Sequence, residues 1–150
     1  MPFTLKEDVI TKYALLWEDW KCREIPDDTP EHVREYANMF TVDSGSNCLS
    51  STLFAVTKQD WIIKEWVHPE TFINTIERAG YSLTTERIRN GDLITWENDK
   101  NVVQHATYYI GNDLYFNKNG QTFFNPWKIV NSSELNEQWR HYKKKVYRKQ

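Results

Sequence analysis

The sequence predicts an α+β domain in which helices from the first half pack on one side of an antiparallel sheet formed by the second. Two patterns carry this. Up to about residue 80, apolar residues recur at helical spacing; from Gly91 onward, short β-branched and aromatic runs alternate with Asn, Asp, Gly and Lys clusters. The 150 residues are enough for one domain to bury a sizeable core, and no repeat, low-complexity tract or Gly/Ser linker divides them. The simplest parse is a single domain over residues 1–150 with an N-terminal helical extension.

That extension spans residues 5–22, where Leu5, Val9, Tyr13, Leu16, Trp17 and Trp20 share a helical face and Pro26 closes the segment. A second helix opens at Thr29-Pro30-Glu31, with Thr29 as cap and Pro30 in the first helical position, and carries Val33, Tyr36, Ala37 and Phe40. The polar turn at residues 43–47 then introduces a helix starting at Cys48, with Ser46 or Asn47 as its cap and Leu49, Leu53 and Val56 on one face. Residues 69–79 form the next helix, with Phe72, Ile73 and Ile76 inward and Gly80 as its stop.

Strands are expected at residues 92–96, 102–110, 114–117 and 122–130, as a meander whose last member Pro126 confines to an edge or bends. Ser132 or Ser133 caps a short helix through Trp139, and residues 144–148 return as a final strand.

Composition excludes several classes of function. Residues 1–20 mix acidic and basic side chains without an apolar run, so neither a signal peptide nor a membrane span is readable and the expected location is cytoplasmic. Two cysteines without an export signal read as thiols. Six basic residues and no acid lie between 140 and 150, a basic end that reads as solvated surface before it reads as a nucleic-acid contact. His32, His68 and His141 lack paired ligand spacing, so neither a metal nor another cofactor is called for.

The candidate chemistry centres on Cys48. A thiol is nucleophilic as thiolate, and a helix N-terminus together with an imidazolium favours that form. His105 is the histidine placed inside a strand. If Gly111-Asn112-Asp113 form a three-residue hairpin loop, Ile110 faces Leu114 and Asn117 falls opposite Thr107, a diagonal neighbour of His105. Asn117 then orients the ring and Cys48 exchanges its proton with it.

These residues resemble the NlpC family of cell-wall peptidases, within the papain-like superfamily, over about residues 29–127. The resemblance is carried by Cys48 opening a helix, by Gly91-Asp92-Leu93-Ile94-Thr95-Trp96, and by His105 running through Tyr108-Tyr109-Ile110-Gly111-Asn112 to Asn117. Twelve positions separate His105 from Asn117, and twelve separate Tyr36 from Cys48, as in the family. Asn47-Cys48-Leu49-Ser50 departs from the family's Asp-Cys-Ser-Gly, and the Gly-Gly after the tyrosine is absent.

The resemblance implies a papain-like fold and a cysteine peptidase or amidase that cleaves a small peptide or a peptidoglycan fragment. Its catalytic residues would be Cys48, His105 and Asn117, with Tyr36 at the oxyanion or substrate site. Between Val33 and Phe40, Tyr36 reads equally well as a core residue. The rival from another class is a non-catalytic binding domain on the same scaffold.

Overall fold

A computed structural model describes residues 25–39, 45–119 and 126–150. The helix expected at residues 5–22 lies outside them, as do residues 122–125 of the last expected strand. Four α-helices and six strands are described: α1 (Glu31–Tyr36), α2 (Cys48–Thr57), α3 (Pro69–Arg78), β1 (Tyr81–Thr84), β2 (Leu93–Glu97), β3 (Val103–Gly111), β4 (Leu114–Lys118), β5 (Trp127–Asn131), α4 (Ser132–Gln138) and β6 (Lys143–Lys149). None of the helices among these residues is long and apolar enough to cross a membrane.

The α2 helix is buried along almost its whole length, from Leu49 through Ala55. Such a helix must satisfy its polar side chains internally. Ser51, Thr52 and Thr57 do so by donating to the carbonyls of Asn47, Cys48 and Leu53 at 3.0, 2.9 and 2.8 Å. Pro69 starts α3, Phe72 and Ile76 are its fully buried residues, and Gly80 ends it in the left-handed region at φ 92°. The expected Thr29 cap on α1 is not formed. Pro30 occupies the cap position, no side chain caps the helix, and the buried Thr29 hydroxyl has no hydrogen bond among the described residues.

All strand pairs are antiparallel, in the order β1-β6-β2-β3-β4-β5. The meander β2 to β5 runs in sequence, and β5, preceded by Pro126, lies at the edge where proline is tolerated. The C-terminal segment is a central strand. In β6, Lys145 pairs with the buried Glu97 at 3.1 Å, and Arg148 bonds the buried Asp92 at 2.8 Å and Glu86 at 2.6 Å. Two residues of the basic cluster, Lys145 and Arg148, are therefore committed to buried acids within the fold.

The sheet is covered on both faces, which corrects the expectation of helices on one side. Leu93, Ala106, Tyr108, Phe116, Trp127 and Ile129 form a core with α1, α2 and α3. Ile94, Trp96, Tyr115 and Val130 lie on the other face, under Leu135 of α4. A second apolar face requires a second cover, and α4 supplies it. Trp127 ties the helical layer to the sheet edge: its indole N–H donates to Ser51 Oγ at 2.9 Å, and its backbone bonds Asn38 and Met39 beyond α1.

Candidate functional site

Cys48 is the first residue of α2, and its position is fixed by the cap. Asn47 Oδ1 accepts from the Ser50 amide at 2.9 Å, and the Asn47 amide donates back to Ser50 Oγ at 2.9 Å. Asn47 Nδ2 also donates to the Val67 carbonyl at 2.9 Å, which holds the segment before α3 against the start of α2. Replacing Asn47 by alanine removes both the cap and this tie. A loss of about 1–2 kcal/mol is expected, and urea denaturation of the two proteins measures it.

The β3–β4 hairpin brings His105 and Asn117 together. The turn differs from the expected three-residue loop: Gly111 pairs with Leu114 across Asn112 and Asp113, both in the left-handed region at φ 52° and 61°. Alone, that shorter turn would send Asn117 to the wrong face. A bulge between Tyr109 and Gly111 adds the missing residue, Ile110, and restores the register to Tyr109–Tyr115 and Tyr108–Phe116. The paired ladder ends there, and His105 Nε2 meets Asn117 Oδ1 at 2.6 Å.

The donor in that bond is assigned from the orientation of the Asn117 amide. Asn117 Nδ2 donates to Asn119 Oδ1 at 2.8 Å, so Oδ1 faces the ring and can only accept. His105 therefore carries its proton on Nε2 and its lone pair on Nδ1.

The ring lies on the sheet face opposite α2. It is flanked by Trp96, with centroids 5.5 Å apart, and by Trp139, stacked at 4.5 Å and 12°. The sulfur nevertheless approaches the same stretch of β3, because the backbone amide of Ala106 reaches it together with those of Cys48 and Leu49. It thus sits within one peptide unit of the His105 backbone. Cys48 and His105 both line a cleft of about 470 Å³ with Trp66, Val103, Asn119 and Trp139.

No family model and no curated protein matches this chain.

Burial dominates the electrostatics at the cleft. Cys48 is a free thiol whose residue is partly exposed, but burial of the sulfur pushes it up to about 11, and the three amides and Lys118 oppose that less strongly. Burial pushes His105 down to about 4, against the opposing effect of its bond to Asn117. Near neutral pH these shifts favour a thiol and a neutral imidazole within the one cleft.

Tyr36 is not among the described residues lining the cleft. Its ring packs edge-on against Phe54 at 4.8 Å and Trp127 at 5.2 Å, in the core beside the middle of α2. The core alternative for this residue describes its placement. The donors gathered at the sulfur are instead backbone amides.

Three further side chains lie at or next to the site. Trp139 covers the imidazole, Trp66 stands 48% exposed beside the cleft, and Lys118 is fully buried next to Asn117 in the chain. A tryptophan or lysine near a turn gives no sequence signal of such a role, since the contact depends on how β4, β5 and α4 return to β3. No group of three or more His, Cys, Asp or Glu that could hold a metal ion occurs among the described residues.

Proposed function

We propose that this chain is a cysteine hydrolase of papain-like, NlpC-type chemistry that cleaves an amide bond in an extended peptide, such as a peptidoglycan stem peptide. One observation carries the proposal: a helix-opening thiol and an asparagine-bound imidazole line one cleft, with Nδ1 of the imidazole left as its basic nitrogen. In the reaction, Nδ1 takes the thiol proton as sulfur attacks the carbonyl carbon, and the carbonyl π pair moves to oxygen. The amides at the sulfur are suited to receive that oxyanion. Collapse breaks the C–N bond, the imidazolium protonates the departing amine, and water then releases the acyl group through the same base.

An extended substrate is supported by the surface beside the cleft. A second hollow, of about 750 Å³, shares Pro69 and Val103 with the first and continues past His68, Ile73, Asn74 and Val102. Several of these residues are exposed, so the two hollows read as one open groove suited to a chain lying across it.

A second reading, non-catalytic peptide binding in the same groove, is favoured by the resting thiol being held protonated. Incubation of defined muropeptides and N-acyl peptide amides with wild type and Cys48→Ser separates the two. Hydrolysis by wild type alone, with an acyl-enzyme detected by mass, is the expected result. Binding by both proteins without turnover would select the second reading.

A further inference from the structure

We propose that Lys118 is the fixed cation of this site, its ammonium group stabilising the Cys48 thiolate from the helix-facing side of β4. The inference rests on Cys48 being the nucleophile, and its support is geometric. Extending the Tyr109–Tyr115 and Tyr108–Phe116 register places Lys118 opposite Ala106, whose amide reaches the sulfur. Successive residues of a strand point to opposite faces, so while Asn117 holds His105 on one side of the sheet, Lys118 projects from the other, toward α2. Its pairing partner on β5 is Trp127, whose indole bonds Ser51 in the first turn of α2, so this part of the sheet lies under the start of the helix.

A wholly buried lysine is uncommon, and its charge acts through a low-dielectric surrounding. Here the charges of Cys48 and Lys118 are coupled: each stabilises the other's ionised form. Burial pushes Lys118 down to about 8, which still leaves it mostly protonated near neutral pH. His105, at about 4, is not. The described side chains lining the cleft include no carboxylate, lysine or arginine, so the charge of Lys118 reaches the sulfur from beneath the cleft and not from its wall. When sulfur ionises, Lys118 is a side chain already carrying positive charge that acts on it.

Alkylation kinetics test this without requiring any hydrolytic substrate. In Lys118→Met the Cys48 thiol should titrate higher and react with iodoacetamide about tenfold more slowly at pH 7, the consequence of a shift of about one unit in a thiolate-dependent rate. A folded Lys118→Met with the wild-type rate profile would overturn the proposal.

Should that variant not fold, the wild type supplies the second measurement. A cation beside the sulfur favours the anionic reagent, so the rate ratio of iodoacetate to iodoacetamide should exceed that of a free thiol and decline as pH rises past about 8. A ratio equal to that of a free thiol and flat with pH would equally overturn it. The outcome is independent of the hydrolase assay. Charge-selective alkylation without peptide cleavage leaves Lys118 in this role and removes the hydrolase reading, whereas cleavage without charge selectivity does the reverse.

Discussion

Replacing His105 by alanine is expected to lower kcat/KM for a cleaved amide by about 1,000-fold, within the range that general acid–base catalysis supplies. The loss should be this large because the resting thiol is protonated. With Cys48 held near 11, very little thiolate exists at neutral pH, and attack requires a base that takes the proton as the bond forms. His105 suits that task in its neutral form, with Nε2–H engaged by Asn117 and Nδ1 unprotonated.

Asn117→Ala should cost less, because the ring stays flanked by Trp96 and Trp139 even when its tautomer is no longer fixed. The pH profile supplies an independent check. A base at about 4 keeps wild-type kcat/KM from falling on its account until the pH drops well below the ordinary histidine range. Steady-state rates of the folded His105→Ala protein within a few-fold of wild type would dismiss His105 as the base.

The hairpin illustrates what the sequence could and could not convey about such a site. The sequence, read with a three-residue loop, placed Asn117 diagonal to His105, because that loop gives the total offset the pairing needs. It could not distribute that offset between loop and bulge. The loop has two residues, and Ile110, buried at 2% exposure, is the extra residue of the strand. The functional pairing survived because either route gives the same register beyond Tyr109.

The α2 start was legible for a local reason, since Asn47 and Ser50 need only each other to cap it. Elements set by distant contacts were not. The four-residue β1 was missed because its pairing partner is β6, at the far end of the chain. Thr29 offered the chemistry of a cap, but Pro30 took the cap position. Tyr36 had the family's spacing from Cys48, but spacing along the chain does not fix which way α1 presents a ring, and Phe54 and Trp127 claim it for the core. The sign of the thiol's shift likewise depends on a balance between burial and amide donors that appears only once β3 and β4 are packed against α2.

The same burial that keeps His105 neutral should make the fold acid-sensitive. His105 is 1% exposed and titrates at about 4 in the folded protein, below its ordinary value of 6.5. Between these values the unfolded chain binds a proton that the folded chain does not, so acidification favours unfolding. The stabilisation is complete above about 6.5 and is lost as pH falls toward 4. At about 1.4 kcal/mol per unit, the window corresponds to about 3 kcal/mol, a large share of the stability of a small domain. Urea midpoints measured from pH 7 to pH 4 test this most cleanly as a difference between wild type and His105→Gln, because carboxylates titrating in the same range contribute to both proteins. The wild type should lose stability faster, so that the gap between the two narrows or reverses in acid. Parallel curves across the window would mean that the ring is accessible to protons in the folded state, contrary to its placement between Asn117 and the two tryptophans.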